Sequence, residues 1–221
     1  MTMQPTKLHY QAVIFDLDGV LTDTAHFHFL AWKKMAESVG IELDAAFNEN
    51  LKGVDRMGSL ELILGLSGQS YSQEQKQDLA TQKNRHYQQL ISSMSPKDLL
   101  PGALQALQQV RAAGLLSGLA SVSRNAFAVL DSLGIRDCFD TVVDAATVTN
   151  SKPDPEIFFK AALQLNVLPA ACLGVEDSIA GIRAIKSAGM FALGIGQPHI
   201  LTEADRVIPD LSTFSIRDYV M

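Results

Sequence analysis

An apolar run, Ala12-Val13-Ile14-Phe15, leads without interruption into Asp16-Leu17-Asp18-Gly19-Val20, with Thr22, Asp23 and Thr24 close behind. A short, continuously apolar segment that ends in acid reads as a parallel strand buried on both faces. Residues two apart on an extended segment point the same way, so Asp16 and Asp18 are expected to share one side. Two like charges that close call for a cation or a shared proton. One reading of the pair is a divalent-metal site; the other is a plain strand end followed by an Asp-Gly turn. What decides between them is whether the rest of the chain supplies partners.

From 24 to about 94 the rhythm is helical throughout. Apolar spacing predicts helices over 26–39, which stops at Gly40, then over 44–51, 59–66 and 72–91. Nothing in this stretch alternates like a strand. Breaks at Ser95-Pro96 and Pro101-Gly102 open a different pattern. Helices over 103–113, from 126 to 133 and from 178 to 188 alternate with strands over 116–120, 141–143, 171–175, 190–195 and 207–208. Asp154 and Pro155 stand at the start of a further helix, as cap and first helical residue. Strands and helices alternating at this length imply βαβ units, a Rossmann-like parallel sheet with helices on both faces. The fold class is therefore α/β, with a small α-helical segment, 24–95, inserted after the first strand of a core formed by 1–23 and 96–221.

In open α/β sheets, ligands bind beyond the carboxyl ends of the strands. Four such ends or adjoining loops carry suitable polar groups: Asp16 and Asp18; Ser121, Ser123 and Asn125; Lys152; and Glu176 with Asp177. Each has a plain structural alternative. Ser123 can cap its helix, Lys152 can sit in solvent, and Glu176-Asp177 can supply negative charge to a helix start. Together on one sheet edge they suit one reaction. Carboxylates from two strands make a hard oxygen site for Mg²⁺, and a lysine with a hydroxyl can hold phosphoryl oxygens. That combination describes phosphoryl transfer.

The bulk of the chain is compatible with this. At 221 residues and a net charge of -6, it has room for a large core and no electrostatic case for nucleic acid or an anionic membrane as main partner. No apolar run approaches the ~20 residues of a membrane span, and 1–11 has no signal-like apolar region. Cys138 and Cys172 form no CxxC and read as free thiols in a reducing compartment. A cytoplasmic, monomeric protein is expected.

The motifs Asp16-x-Asp18-Gly19-Val20, Ser121, Lys152 before Pro-x-Pro, and Glu176-Asp177-Ser178 resemble the haloacid dehalogenase superfamily of aspartate-nucleophile phosphotransferases, in that family's order. The resemblance narrows to its β-phosphoglucomutase family through further segments. These are Phe47-Asn48-Glu49, Leu51-Lys52-Gly53-Val54-x-Arg56, Leu119-Ala120-Ser121-x-Ser123, Asn150-Ser151-Lys152-Pro153 and Glu176-Asp177-Ser178-x-Ala180-Gly181-Ile182.

The resemblance implies reversible conversion of β-D-glucose 1-phosphate to glucose 6-phosphate, through β-glucose 1,6-bisphosphate and a phosphorylated Asp16. Asp16 would be the nucleophile and Asp18 the general acid/base. Mg²⁺ would be held by Asp16, the Asp18 carbonyl and Asp177, with Glu176 helping. Ser121 and Lys152 would bind the transferring phosphoryl group. Thr24 and His28 would couple closure of a helical lid to Asp18. From the lid, Lys52, Gly53, Val54 and Arg56 would face the site, with Arg56 on the second phosphate. Trp32, Ser59 and Lys83 match lid positions that contact the sugar or line its pocket, although Trp32 also reads as a core aromatic. Val122, Ser123, Arg124 and Asn125 would complete the sugar-phosphate site. Two positions depart from the pattern: Arg124 stands where Lys is usual, and Asp55 adds a negative charge to the lid loop. A sugar-phosphate phosphatase on the same scaffold is the competing reading. A silent relative acting as a binding module is another, and the intact Asp16, Asp18, Lys152 and Asp177 argue against it.

Overall fold

The computed structural model describes residues 10–51 and 54–219. Six strands, β1 (Ala12–Phe15), β2 (Leu116–Leu119), β3 (Thr141–Val142), β4 (Cys172–Glu176), β5 (Phe191–Ile195) and β6 (Arg206–Ile208), form one sheet in the order β3-β2-β1-β4-β5-β6. Every pairing is parallel, so all six strands deliver their carboxyl ends to one edge. Central β1 is fully buried. Val13 and Phe15 join the apolar cluster on one face of the sheet, while Ala12 and Ile14 join the cluster on the other. Alternation by side is thus present along β1, but both sides are apolar because both are covered.

Four helices, α1 (Ala25–Ser38), α2 (Ala45–Asn48), α3 (Arg56–Gly65) and α4 (Gln73–Ile91), follow β1 before the chain returns to the sheet. The others, α5 (Ala103–Ala112), α6 (Ala126–Leu133), α7 (Glu156–Gln164) and α8 (Ile179–Ser187), cover the sheet. α5 and α6 pack with Val13 and Phe15, whereas α7 and α8 pack with Ala12 and Ile14. The first four helices have an apolar cluster of their own around Trp32, Met35, Leu60, Ile63 and Leu79. Burying side chains of this size contributes ~1.5–3 kcal/mol each, which holds the helical segment together without help from the sheet. Its ends are local in origin. Ser72 and Gln75 form a reciprocal capping box at the start of α4. Asp55 caps α3, accepting from the backbone N–H groups of Met57 and Gly58.

The chain enters and leaves this segment side by side. Leu100 N–H donates to the Leu21 carbonyl at 2.9 Å, and the Thr22 hydroxyl donates to the Asp98 carbonyl at 2.8 Å. Thr22 also pairs antiparallel with Leu99. These two adjacent crossings are the chain's entry to and exit from the helical segment.

Three local differences from sequence expectation have simple causes. α3 begins at Arg56, three residues early, because Asp55 supplies the cap. The expected 44–51 helix divides into α2 and a 3₁₀ turn over Glu49–Leu51. α7 begins at Glu156, one residue past Pro155, with Asp154 accepting from the Glu156 N–H at 2.9 Å.

Just past the return crossing, Gly102 has φ +81°, and a Cβ there would fall 2.1 Å from the backbone of Leu211 and Ser212. Both the left-handed conformation and the contact exclude a side chain. Gly102→Ala is expected to destabilise the fold by about 3 kcal/mol or more, read as a lower urea midpoint.

Candidate active site

The carboxyl edge of β1, β2 and β4 brings four of the predicted elements together. Asp16 follows β1 directly, its N–H donating to the Val175 carbonyl of β4 at 2.9 Å, so its position is fixed by the sheet. Lys152, from the loop before α7, places its ammonium 2.6 Å from Asp16 Oδ1 and 2.7 Å from Glu176 Oε2. All three side chains are buried. The ammonium also lies over the ring of Phe158, 5.1 Å from its centroid.

Burial works against a charged Lys152, but Asp16 and Glu176 outweigh it and hold its pKa above the ordinary lysine value. Glu176 is likewise disfavoured by burial, and Lys152 nonetheless brings it below the usual carboxylate range. Asp16 goes the other way. Burial, then the charges of Glu176 and Asp18, push it up to about 7 against the pull of Lys152. Asp177, the more exposed member, is pushed up to about 9, first by burial of its carboxyl and then by Glu176 and Asp16.

Burial leads both rises, and repulsion among the carboxylates adds to them. Oxygens of Asp16, Glu176 and Asp177 lie within 4.8 Å of one another. Three carboxylates facing one ammonium leave two negative charges, which one divalent cation neutralises. The donors are all hard oxygens, the type Mg²⁺ takes, so the residues fit that ion. They are not equivalent. Glu176 Oε1 accepts from the N–H groups of Asp177 and Ser178 and from the Ser178 hydroxyl, all at 3.0 Å, while Oε2 is on Lys152. Asp16 and Asp177 therefore keep the freer oxygens. Gly19 makes room for this arrangement: with φ +78°, it sits where a Cβ would lie 2.0 Å from Asp177 Oδ2.

Asp18 stands apart from the cluster. β1 ends at Phe15, and Asp18 lies in the turn beyond, bridged to Thr22. Its carboxylate accepts a hydrogen bond from the Thr24 hydroxyl. Burial raises its pKa, with the bonds from Thr24 opposing. The two aspartates of the motif are thus close without sharing partners: Asp16 faces Lys152, and Asp18 faces the hinge. The chain bends at Leu17, and the charge of Asp18 still acts on Asp16.

The remaining predicted residues divide by location. On the core, buried Ser121 accepts from the Ser123 N–H at 3.2 Å, and Ser123 accepts from the Asn125 N–H at 3.3 Å, which shapes the turn into α6. Val122 packs its side chain against the sheet cluster with Ala12 and Ile14, leaving only its backbone for a ligand. Arg124 is exposed. On the helical segment, the Lys83 ammonium is 2.7 Å from His28 Nδ1 and 4.5 Å from the Trp32 ring centroid. Trp32 thus serves as both core aromatic and shelf for a cation. Burial lowers Lys83 to about 7, helped by Arg56, and burial with Lys83 and Arg56 holds His28 well below its ordinary value. Ser59 is buried and donates to the Val54 carbonyl at 3.4 Å, so its hydroxyl is used within the segment. Arg56 Nη2 donates to Asn84 Oδ1 at 2.9 Å. Burial and the nearby Arg124 lower its pKa. Asp55 directs its charge to the start of α3, as described above. Lys52 and Gly53 lie outside the described residues.

Sequence reasoning missed Asn84, Tyr87 and Gln88, all on α4 where it meets the core. The signal was present: with Lys83 they form a polar stripe at helical spacing, continuous with buried Leu79, Ala80 and Ile91. Asn84 and Gln88 hydrogen-bond to Asn125. Tyr87 is stacked on His28, ring centroids 4.0 Å apart, and its buried hydroxyl makes no hydrogen bond, with Thr24 and Ser123 beside it.

Comparison with known proteins agrees with this chemistry. A model of the haloacid dehalogenase-like hydrolase family matches residues 10–189. The chain is 50% identical over 208 residues to the β-phosphoglucomutase of Bacillus subtilis, covering 93% of this chain and 92% of that protein. It is 33% identical over 183 residues to a phosphorylated carbohydrates phosphatase of Thermotoga maritima, covering 81% and 82% respectively. The crystal structure of a β-phosphoglucomutase from Clostridium difficile superposes with a TM-score of 0.91 at 45% identity, over 95% of both chains.

Two substitutions test the electrostatics. Lys152→Met leaves Asp16 and Glu176 as uncompensated buried carboxylates and is expected to cost ~3–5 kcal/mol of stability at neutral pH, measured by urea unfolding. Tyr87→Phe removes a buried hydroxyl that has no partner and is expected to raise stability by about 1 kcal/mol, with a higher melting temperature.

Proposed function

The chain belongs to the haloacid dehalogenase-like hydrolase family, and from that premise we propose that it interconverts β-D-glucose 1-phosphate and D-glucose 6-phosphate by way of β-glucose 1,6-bisphosphate. One observation carries the mutase reading over a phosphatase. Besides the Lys152 site, Arg56 from α3 is joined through Asn84 to Asn125, which directly follows Arg124 in sequence, and in this reading the two guanidiniums form a second cationic site. Among the described residues, neither guanidinium has a carboxylate partner. Hydrolysis of one phosphate requires one phosphoryl site; passage through a bisphosphate requires two. The second site, with bidentate guanidinium chemistry available, suits the phosphate that is not being transferred.

Asp16 is the nucleophile in this reading. A carboxylate oxygen of Asp16 forms a bond to phosphorus as the bond from phosphorus to the sugar oxygen breaks. That oxygen leaves with the electron pair and takes the proton of Asp18, whose raised pKa suits a carboxyl that must begin protonated. Taken from C1 of the bisphosphate, that first half leaves glucose 6-phosphate; in the second half, the 6-hydroxyl of an incoming β-glucose 1-phosphate gives its proton to Asp18 and attacks the phosphorus of phosphorylated Asp16, which forms β-glucose 1,6-bisphosphate and releases the carboxylate. Lys152 and Ser121 hold the phosphoryl oxygens in both halves. Asp16, Asp177 and the Asp18 carbonyl, with Glu176 in support, would hold Mg²⁺, which would supply charge neutralisation for the phosphoryl group.

Phosphorylated Asp16 must be kept from water between the two halves. Residues 24–95 act as a lid on a core of 1–23 and 96–221, hinged at the paired crossings of Leu21–Thr22 and Asp98–Leu100. Thr24 and His28 tie lid position to Asp18, one by its hydroxyl and the other through Lys83. Lys52, Gly53, Val54, Ser59, Trp32 and Lys83 form the sugar pocket of the lid. Val122, Ser123, Arg124 and Asn125 complete it on the core. No helix among the described residues is long and apolar enough to cross a membrane. Free Cys138 and Cys172 fit a monomeric enzyme of the cytoplasm, where sugar phosphates are held.

The decisive assay supplies β-glucose 1-phosphate, Mg²⁺ and a trace of bisphosphate, then follows glucose 6-phosphate and free phosphate together. Glucose 6-phosphate formed without matching free phosphate is the expected result. Stoichiometric free phosphate would assign the chain to hydrolysis.

A further inference from the structure

The polar seam between α4 and α6 contains an arrangement that the roles above leave unused. Asn84 Oδ1 accepts two hydrogen bonds, from Arg56 Nη2 at 2.9 Å and from Asn125 Nδ2 at 2.9 Å. One turn along α4, Gln88 Nε2 donates to Asn125 Oδ1 at 3.1 Å. Asn125 is buried, at 8% exposure, and both ends of its amide are engaged by α4. Three elements therefore meet at one oxygen: α3 through Arg56, α4 through Asn84, and the start of α6 through Asn125.

We infer that Asn84 is a positioning residue that sets Arg56 and Asn125 toward a common anion, the phosphate that is not transferred. The inference rests on the mutase reading. Its basis is donor arithmetic and charge. A guanidinium carries five N–H donors and a side-chain amide two, so Asn84 occupies one donor of each and leaves the others for a ligand. Two donors that share one acceptor are held within a few ångströms of each other, the spacing that the oxygens of one phosphate require. A neutral acceptor is needed for this. A carboxylate at 84 would hold the same two donors but would neutralise Arg56, whose charge, next to that of Arg124, is what attracts the anion. Gln88 fixes the complementary half: with its oxygen held, the Asn125 amide cannot turn and present an acceptor to the phosphate.

The arrangement also explains a cost. Arg56 is half-buried close to Arg124, Lys83 and His28, with no carboxylate partner among the described residues. Left to itself, its side chain would extend into solvent, away from the other cations. The bond to Asn84 holds it over the site before a ligand arrives, which lowers the ordering cost of binding.

The test is a double-mutant cycle on the full-length enzyme, measuring the β-glucose 1,6-bisphosphate concentration for half-maximal activity and the turnover at saturation. Asn84→Ala is expected to raise the half-saturating concentration on the order of tenfold, as loss of a bond to a charged group does. Turnover at saturation is expected to change less than about threefold. Asn84→Asp, which keeps size and accepting oxygen, is expected to raise half-saturation more than Asn84→Ala, and it carries the test should the alanine variant prove unstable. Adding Asn84→Ala to Arg56→Ala is expected to cost clearly less than Asn84→Ala alone. Half-saturation unchanged or lowered in both Asn84 variants would overturn the inference, as would full additivity with Arg56→Ala or a loss confined to turnover. The reading of Arg56 itself fails separately, if Arg56→Ala leaves half-saturation unchanged.

Discussion

A single buried ammonium organises the site. Lys152 reaches into the carboxyl edge of the sheet and contacts carboxylates from two neighbouring strands, Asp16 after β1 and Glu176 at the end of β4. A buried ion pair seldom adds net stability over apolar packing, because desolvating the charges offsets their attraction. Here the third carboxylate, Asp177, makes the balance worse and leaves the cluster with negative charge in excess. An arrangement so poor for stability makes sense as a binding capacity: its hard oxygens suit a divalent cation, and in the proposed reading a phosphoryl group would bind beside that cation and Lys152. The central position of β1 follows from the same need. Only a strand paired on both sides can fix Asp16 by a backbone bond to β4 while leaving Ser121, at the end of β2, on its other flank.

Placement of a helical segment directly after the acidic turn has a physical logic too. Asp16 and Asp18 are two residues apart, yet one belongs to the rigid sheet and the other to the start of the hinge. Asp16 is tied to β4 and Lys152, whereas Asp18 is tied through Thr24 to the start of α1. In the proposed reading, a change at that junction would alter the surroundings of the proton carrier, Asp18, without disturbing the nucleophile, Asp16. That separation depends on the bend at Leu17 and on Gly19, whose lack of a side chain lets Asp177 come across the turn.

Much of this was legible in the sequence, and the limits are instructive. The apolar run into Asp16 gave the buried central strand, and the alternation of strands and helices gave the parallel sheet, because both are local patterns with one dominant solution. The acidic and basic groups at the strand ends could be placed on one edge because parallel topology puts all carboxyl ends together. Pairings between distant segments were not accessible. Nothing in the order of residues states that Asn84 Oδ1 meets both Arg56 and Asn125, or that Lys83 stands between Trp32 and His28. Those contacts depend on the angle at which α4 crosses the core. Their trace in the sequence is faint: polar residues on the inward face of α4, which read as ordinary amphipathicity. Asp55 is a case where local rules do suffice: the negative charge it adds ahead of α3 is engaged in capping that helix, its carboxylate accepting from two backbone N–H groups.

The difference between a mutase and a phosphatase on this scaffold reduces to what happens to phosphorylated Asp16. The core chemistry up to that point is the same, and the relatives include a protein of each kind. Water is small, abundant and needs no binding site, so a phosphatase results whenever the lid fails to exclude it. A mutase needs the opposite, a lid whose closure is coupled to the presence of a second phosphate. The seam of α4 supplies the parts of such a coupling. The same helix reaches the proton carrier through Lys83, His28 and the hinge, and reaches the second cationic site through Asn84 and Gln88. Because Lys83, Asn84 and Gln88 project from one helix, in the proposed reading an anion bound between Arg56 and Arg124 would favour one placement of α4, and that placement would fix the groups next to Asp18. Recognition of the phosphate that does not react thereby becomes part of the chemistry of the one that does.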